Sequence, residues 1–195
     1  MGSTSVSEFK LSLLAGRTIE QAVKDAIKER YSVVMTGNIE TAAPHGPRLE
    51  DATNGVVLAD MQLYKGVRAG WVEVKSKSSV MYFRKKDRYE HGIDLDKLNQ
   101  YWRLQNDTGQ PVYLLICELS SGAVLMQSLS TLGSQGKPRK GCNTSDRKEM
   151  ISFIRDAFAV VGAISVPTED LRKMSVVINW EVFETFVTQP RLLED

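Results

Sequence analysis

The stretch Gly70-Trp71-Val72-Glu73-Val74-Lys75, read together with Val56-Val57-Leu58-Ala59-Asp60-Met61-Gln62-Leu63-Tyr64 ahead of it, decides the fold. Both segments are rich in β-branched and aromatic residues and read as strands. Side chains of a strand alternate between its two faces, so Val72 and Val74 point into a core while Trp71, Glu73 and Lys75 point the other way. An acid and a base on a face beside a core are costly to desolvate unless they are paired or used. Asp60 interrupts the apolar run of the preceding strand. If it shares a face with Glu73, the two carboxylates lie on neighbouring strands with Cβ atoms roughly 5 Å apart. Acids that close raise each other's pKa unless a cation stands between them. Lys75 brings one positive charge. A divalent ion brings two, and hard oxygen donors with retained waters suit Mg²⁺. The bland alternative is a solvated sheet face laced with cross-strand salt bridges.

Working outward, Lys65-Gly66-Val67-Arg68 holds a hairpin turn, which makes the strands 56–64 and 69–75 antiparallel neighbours. Upstream, Ile19, Val23 and Ile27 recur at helical spacing, with Thr18 as a cap, so a helix runs from Thr18 to near Tyr31. Residues 31–36 form a first strand, and 42–55, with Pro44, Gly46, Pro47, Asn54 and Gly55, a long loop. Downstream, Leu95, Leu98 and Trp102 mark the buried side of a helix over 93–106, stopped by Gly109. Residues 111–119 are nearly all apolar, as in a central strand buried on both faces, and 123–132 form a further strand. The remainder, 145–195, reads as mostly helical from the spacing of Met150, Phe153, Ile154, Phe158 and Val161. The expected organisation is an N-terminal tail (1–13), an α/β core (14–132), a basic Gly-rich loop (133–143) and a helical C-terminal extension (144–195).

Composition is that of an ordinary globular chain: 195 residues, 42% hydrophobic and 25% charged. A net charge of +1 gives no global field for a polyanion, so only local clustering of basic residues points to one. Cys117 sits in an apolar run as a buried thiol and Cys142 in a loop; the pair makes neither a disulfide framework nor a zinc site. No apolar run reaches the roughly 18 residues of a membrane span, and the N-terminus lacks the apolar core of a signal peptide, so an intracellular chain without a membrane partner is expected. No Gly-x-x-x-x-Gly-Lys-Ser/Thr stretch occurs, so no nucleotide cofactor is expected.

A lone Asp in one strand followed by Glu-x-Lys in the next resembles the PD-(D/E)XK nuclease superfamily. Asp60 and Glu73-Val74-Lys75 carry the resemblance, and the order helix, three strands, helix, strand agrees with it. Gly16-Arg17-Thr18-Ile19-Glu20 has the Gly-x-x-x-Glu form of the first helix in archaeal Holliday-junction resolvases of that superfamily. Met81-Tyr82-Phe83-Arg84-Lys85-Lys86 similarly matches the basic, aromatic segment that follows their Glu-Val-Lys strand. Ala59 stands where the motif's proline is usually written, and Asp51 is a weaker competitor for the Asp role. The resemblance spans about residues 14–132 and implies a restriction endonuclease-like core.

What the resemblance implies is Mg²⁺-dependent hydrolysis of DNA phosphodiesters, with Mn²⁺ as a substitute. Asp60 and Glu73 become metal ligands, joined by the Val74 carbonyl, and Glu20 a holder of a second metal or of a metal-bound water. Lys75 orients or helps deprotonate the attacking water, with its pKa drawn down by burial and the metal. The alternative for Glu20 is an ordinary carboxylate near a helix N-terminus; for Lys75 it is a salt bridge. Gln100 is an accessory candidate, or else a surface polar residue. Lys77, Arg84, Lys85, Lys86 and Arg88, with Lys137, Arg139 and Lys140, are the candidate phosphate contacts, or else solubilising runs. DNA is the expected partner and a homodimer the expected assembly, since cutting two strands needs two sites. Resolvase-like features favour branched DNA. The rivals are a sequence-specific restriction or homing-type endonuclease and a catalytically silent nucleic-acid-binding module. A cytoplasmic or nucleoid-associated location follows, and a phage or mobile-element source stays open.

Overall fold

The computed structural model describes residues 6–36, 48–49, 56–142, 148–165 and 173–187. In chain order the elements are α1 (Val6–Ile27), β1 (Ser32–Met35), β2 (Arg48–Leu49), β3 (Val56–Val57), β4 (Met61–Lys65), β5 (Arg68–Lys77), β6 (Met81–Phe83) and β7 (Arg88–Asp94). There follow α2 (Leu95–Thr108), β8 (Val112–Glu118), β9 (Ala123–Ser128), α3 (Leu129–Gln135), β10 (Arg139–Cys142), β11 (Glu149–Ile154), β12 (Ala159–Ser165), β13 (Ser175–Ile178) and α4 (Trp180–Val187). The expected core order is present: α1, then the antiparallel unit β1–β4–β5, then α2, then β8 and β9, in a mixed central sheet flanked by helices.

That sheet has seven strands in the order β1-β4-β5-β8-β9-β12-β13. Among the described residues its one parallel pair is β5 with β8, running from Trp71 opposite Val112 to Lys77 opposite Glu118. Gly66, with a φ of 63°, makes the β4–β5 turn that the sequence calls for. Gly109, at 62°, ends α2 in the left-handed cap. Every residue of β8 is buried, as its unbroken apolar run requires of a strand covered on both faces.

The pleat sorts the core into two clusters. On one face Val72, Val74, Leu115 and Cys117 pack against Ile19, Val23 and Ile27 of α1 and Phe183 of α4. On the other, Trp71, Leu114, Ile116 and Leu125 pack against Leu98, Tyr101 and Leu104 of α2 and Leu129 and Leu132 of α3. Glu73 and Lys75, in phase with Trp71, therefore face α2.

Five expectations are corrected. The strand read over 56–64 is two, β3, which pairs with β2, and β4, and Asp60 lies in the bend between them. The region read as helical, 145–195, contributes strands: among its described residues β11, β12 and β13 precede one short α-helix, α4. Its apolar residues were spaced ambiguously between the two periods. The observed burial of β13 alternates strictly, with Val176 and Ile178 in and Ser175 and Val177 out. The tail reading of 1–13 gives way to helix from Val6 onward. The 133–143 loop is the end of α3 followed by β10, and the strand read over 123–132 stops at Ser128, whose hydroxyl caps α3 by accepting the Thr131 N–H.

A second sheet, in the order β10-β11-β7-β6, was not legible as such; it packs Ile93, Ile151 and Phe153 onto the α2 side of the core. Glu118, at the end of β8, joins the two sheets. It accepts from Arg155 at 2.8 and 2.9 Å and from Ser121 at 2.6 Å, and pairs with His91 at 2.7 Å. Most of the long loop 42–55, including Asp51, lies outside the described residues.

Candidate active site

The site forms just ahead of β4, where β5 keeps β8 on one side but has no β4 residue on the other. The antiparallel ladder runs from Lys65 opposite Arg68 to Met61 opposite Val72 and stops. Beyond it, the Asp60 carboxylate takes the place of a strand partner: Oδ2 accepts the Val74 N–H at 2.8 Å. In an extended strand the N–H and C=O of one residue point to the same side, so the Val74 carbonyl faces the edge that Asp60 occupies. Thr36, just past β1, fixes the backbone at this point. Its N–H donates to the Asp60 carbonyl at 3.0 Å and its hydroxyl donates to the Ala59 carbonyl. Thr36 is buried, so this anchor is shielded from water.

Glu73 is 3% exposed. Lys75 forms an ion pair and hydrogen bond with its Oε1. From across the core, the buried Tyr101 hydroxyl of α2 hydrogen-bonds the Glu73 carboxylate as well. Glu20 of α1 completes the group through its charge, which acts on both Asp60 and Lys75.

The electrostatics follow from crowding. Burial, then the Glu73 charge, pushes the Asp60 carboxyl up to about 8, with Lys75 and the Val74 N–H only partly offsetting them. Burial and Glu73 also raise Glu20, against the pull of Lys75 and Arg17. Tyr101 stands well above its usual range through burial and the Glu73 charge. For Lys75, burial pushes down, but Glu73, Asp60 and Glu20 push harder in the other direction, so the ammonium is held above its usual range. This reverses the direction expected from sequence, because three carboxylates surround one amine. Lys77, one step along the same face, is lowered by burial and by the Lys75 charge.

The donor chemistry suits a hard divalent cation. With Glu20, Asp60 and Glu73 ionised, three carboxylates face one ammonium, leaving two negative charges uncompensated. Among the described residues no group of three His, Cys, Asp or Glu side chains is placed to hold one ion. An ion here would draw on Asp60, Glu73, the Val74 carbonyl and water, which fits Mg²⁺ and its reluctance to shed hydration.

The other sequence candidates separate. The Gln100 Oε1 accepts the Val57 N–H at 3.4 Å and ties α2 to β3. Arg88 and Arg139 both close on the fully buried Glu90, at 2.7 and 2.6 Å, and the Arg139 guanidinium lies 4.0 Å from the Phe83 ring centroid. Burial alone would raise the Glu90 carboxyl, but these two guanidiniums bring it below its usual range. Arg84, Lys85 and Lys86 form an exposed 3-10 turn at the tip of the β6–β7 hairpin, and Lys137 and Lys140 are exposed near β10. Sequence reasoning missed Tyr101 and Thr36. Tyr101 had a signal: a polar-tipped ring on the apolar side of an amphipathic helix needs a buried partner. Thr36 had none.

No family model matches the chain, and no curated protein matches it. Among solved structures, the chain is similar to Hjc, a Holliday junction resolvase from Archaeoglobus fulgidus, at 10% identity and a TM-score of 0.44, covering 73% of this chain and 89% of that one. It is also similar to D212, a nuclease from a fusselovirus, at 12% identity and a TM-score of 0.41, covering 83% and 90%.

Proposed function

We propose that the chain is a Mg²⁺-dependent endodeoxyribonuclease that hydrolyses phosphodiester bonds, with branched DNA as its preferred substrate. The observation that carries this reading is the convergence of Asp60 and Glu73 beside Lys75 at the edge of β5 that β4 no longer covers. The resemblance of Asp60 and Glu73-Val74-Lys75 to the PD-(D/E)XK pattern supports it.

Asp60, Glu73 and the Val74 carbonyl would hold the ion. When bound, it lowers the pKa of a coordinated water and polarises a phosphoryl oxygen. Lys75, kept protonated, supplies fixed positive charge beside the phosphate and orients the attacking water; it serves as an electrostatic group rather than as a base. Tyr101 and Lys75 hold the Glu73 carboxylate from two sides and fix its direction. Glu20, less anchored, is suited to hold a water in the outer sphere. Arg84, Lys85, Lys86, Lys137 and Lys140 are free to meet phosphates, whereas Arg88 and Arg139 act by stiffening the hairpin that presents them. A second copy of the chain would supply the second site needed to cut both strands.

The test is a cleavage panel of supercoiled plasmid, four-way junction and single-stranded DNA, with and without Mg²⁺ or Mn²⁺. Cleavage that requires the metal and favours the junction is expected. Intact substrates throughout would overturn the reading.

A further inference from the structure

The β6–β7 hairpin carries a feature that phosphate binding does not use. Tyr82 and Tyr89 are directly paired across its two strands, with ring centroids 5.3 Å apart and planes tilted by 50°. Both rings are about half exposed, at 52% and 53%. The Tyr82 hydroxyl donates to Asp87 Oδ1 at 2.5 Å, which fixes one ring and turns that carboxylate toward the hairpin itself. Arg84, Lys85 and Lys86 lie between the two tyrosines in sequence, exposed, and among the described residues no carboxylate pairs with them.

Two aromatic faces held open to water beside three uncommitted cations match the chemistry of a nucleic-acid strand whose bases are unstacked. The rings offer π-surfaces to bases, and the cations meet the phosphates between them. Along a duplex each base face is covered by its neighbour, so a blunt duplex offers such a platform only its two terminal pairs. The platform is also rigid. Glu90, one residue beyond Tyr89, is clamped by Arg88 and Arg139, and Arg139 covers Phe83, so the hairpin does not have to order itself on binding. From Tyr89, β7 runs to Asp94, whose charge reaches both Lys77 and Tyr101 beside the carboxylates. At the rise of a strand this is roughly 17 Å, a distance a short unpaired DNA segment spans.

We infer that the Tyr82–Tyr89 pair is a base-stacking platform that selects DNA with a single-stranded segment next to the scissile region. The inference rests on the nuclease reading for its direction and deepens it by naming the substrate feature that is recognised.

The experiment measures binding of the full chain without metal, by fluorescence anisotropy. The probes are a short oligothymidylate, a blunt duplex and the same duplex bearing a single-stranded overhang. Tyr82→Ala/Tyr89→Ala should weaken the oligothymidylate and overhang probes about tenfold or more while changing the blunt duplex less than about twofold. Tyr82→Phe/Tyr89→Phe should retain the wild-type preference, since the faces persist without the hydroxyls. Lys85→Ala/Lys86→Ala should weaken all three probes alike and lower the salt dependence. Circular dichroism checks folding. Should the alanine pair not fold, 2-aminopurine placed in the overhang still decides the matter on the wild type, where quenching on binding is expected. Equal losses on duplex and overhang, or an unquenched 2-aminopurine, overturn the platform. Wild-type selectivity for the overhang with no metal-dependent cleavage of any probe would sink the nuclease reading and leave the platform standing.

Discussion

The Asp60 carboxylate accepts the backbone N–H of Val74 at 2.8 Å, so the acid just ahead of β4 is fastened to the strand that carries Glu73 and Lys75. Asp60 is thus part of the sheet's hydrogen bonding as well as of its charge cluster, and the two roles separate by substitution. Asp60→Asn keeps an oxygen to accept the Val74 N–H and removes only the charge. Cleavage should fall at least about 10²-fold with little change in thermal midpoint, read from plasmid nicking and a melting curve side by side.

Lys75→Ala removes the fixed cation while leaving both carboxylates. Loss of cutting by about 10²–10³-fold is expected, with DNA affinity measured in the absence of metal changed only slightly. Undiminished cutting would refute the role given to Lys75.

Tyr101→Phe takes one hydrogen bond from Glu73 without changing the packing of the ring in the α2 core. An orienting contact of this kind is worth about 10–100-fold in metal affinity or activity. The metal concentration for half-maximal cleavage should rise in this variant, whereas a purely structural tyrosine would leave that concentration unmoved.

The residues that carry charge were legible in the sequence; the residues that aim them were not. Asp60, Glu73 and Lys75 announce themselves because charge inside an apolar strand is costly and short-range in pattern. The helix over 93–106 and the central strand over 111–119 were visible because each keeps one period over its length. The second sheet was invisible because β7 and β11 pair across the whole of α2, β8, β9, α3 and β10, and nothing local marks such a partnership. The misreading of 145–195 came from apolar residues whose spacing suits a helix in short windows while the pairing with β9 selects strand. The direction of the Lys75 shift is set against burial by Glu73 and Asp60, with Glu20 of α1 adding least; the spacing within β5 shows Glu73 but not how closely the other two acids approach.

Stability should decline in acid in two stages. His91 is buried and its pKa is lowered, mainly by burial, so its contribution holds above its ordinary value of 6.5 and is lost as pH falls through its lower folded value. Burial alone would raise Glu118, but its bonds to Arg155, Ser121 and His91 outweigh that and bring it down to about 2. Its contribution is therefore complete above 4.5 and lost as pH falls toward about 2. Urea midpoints across this range should fall throughout in the wild type. In Glu118→Gln the lower stage should flatten, with a loss of about 3 kcal/mol at neutral pH from the stranded Arg155 charge.

Phe183→Ala tests whether the C-terminal segment belongs to the core. Phe183 is fully buried, packs edge-on against Tyr31 and Trp180, and lies in the same cluster as α1. The substitution should cost about 3–5 kcal/mol by denaturant unfolding, as a single transition.

The parallel pairing of β5 with β8 governs when this molecule becomes chemically competent. The β4–β5 hairpin closes locally, but its partner β8 is reached only after the whole of 78–111 has been traversed, and Tyr101 lies within that crossover. A chain still emerging from the ribosome can hold Asp60 and Glu73 side by side, yet it has neither the strand that buries them nor the hydroxyl that aims them. Assembly is therefore paced by chain length: the carboxylates of β5 meet their covering strand and their orienting hydroxyl only once β8 has been added to the sheet.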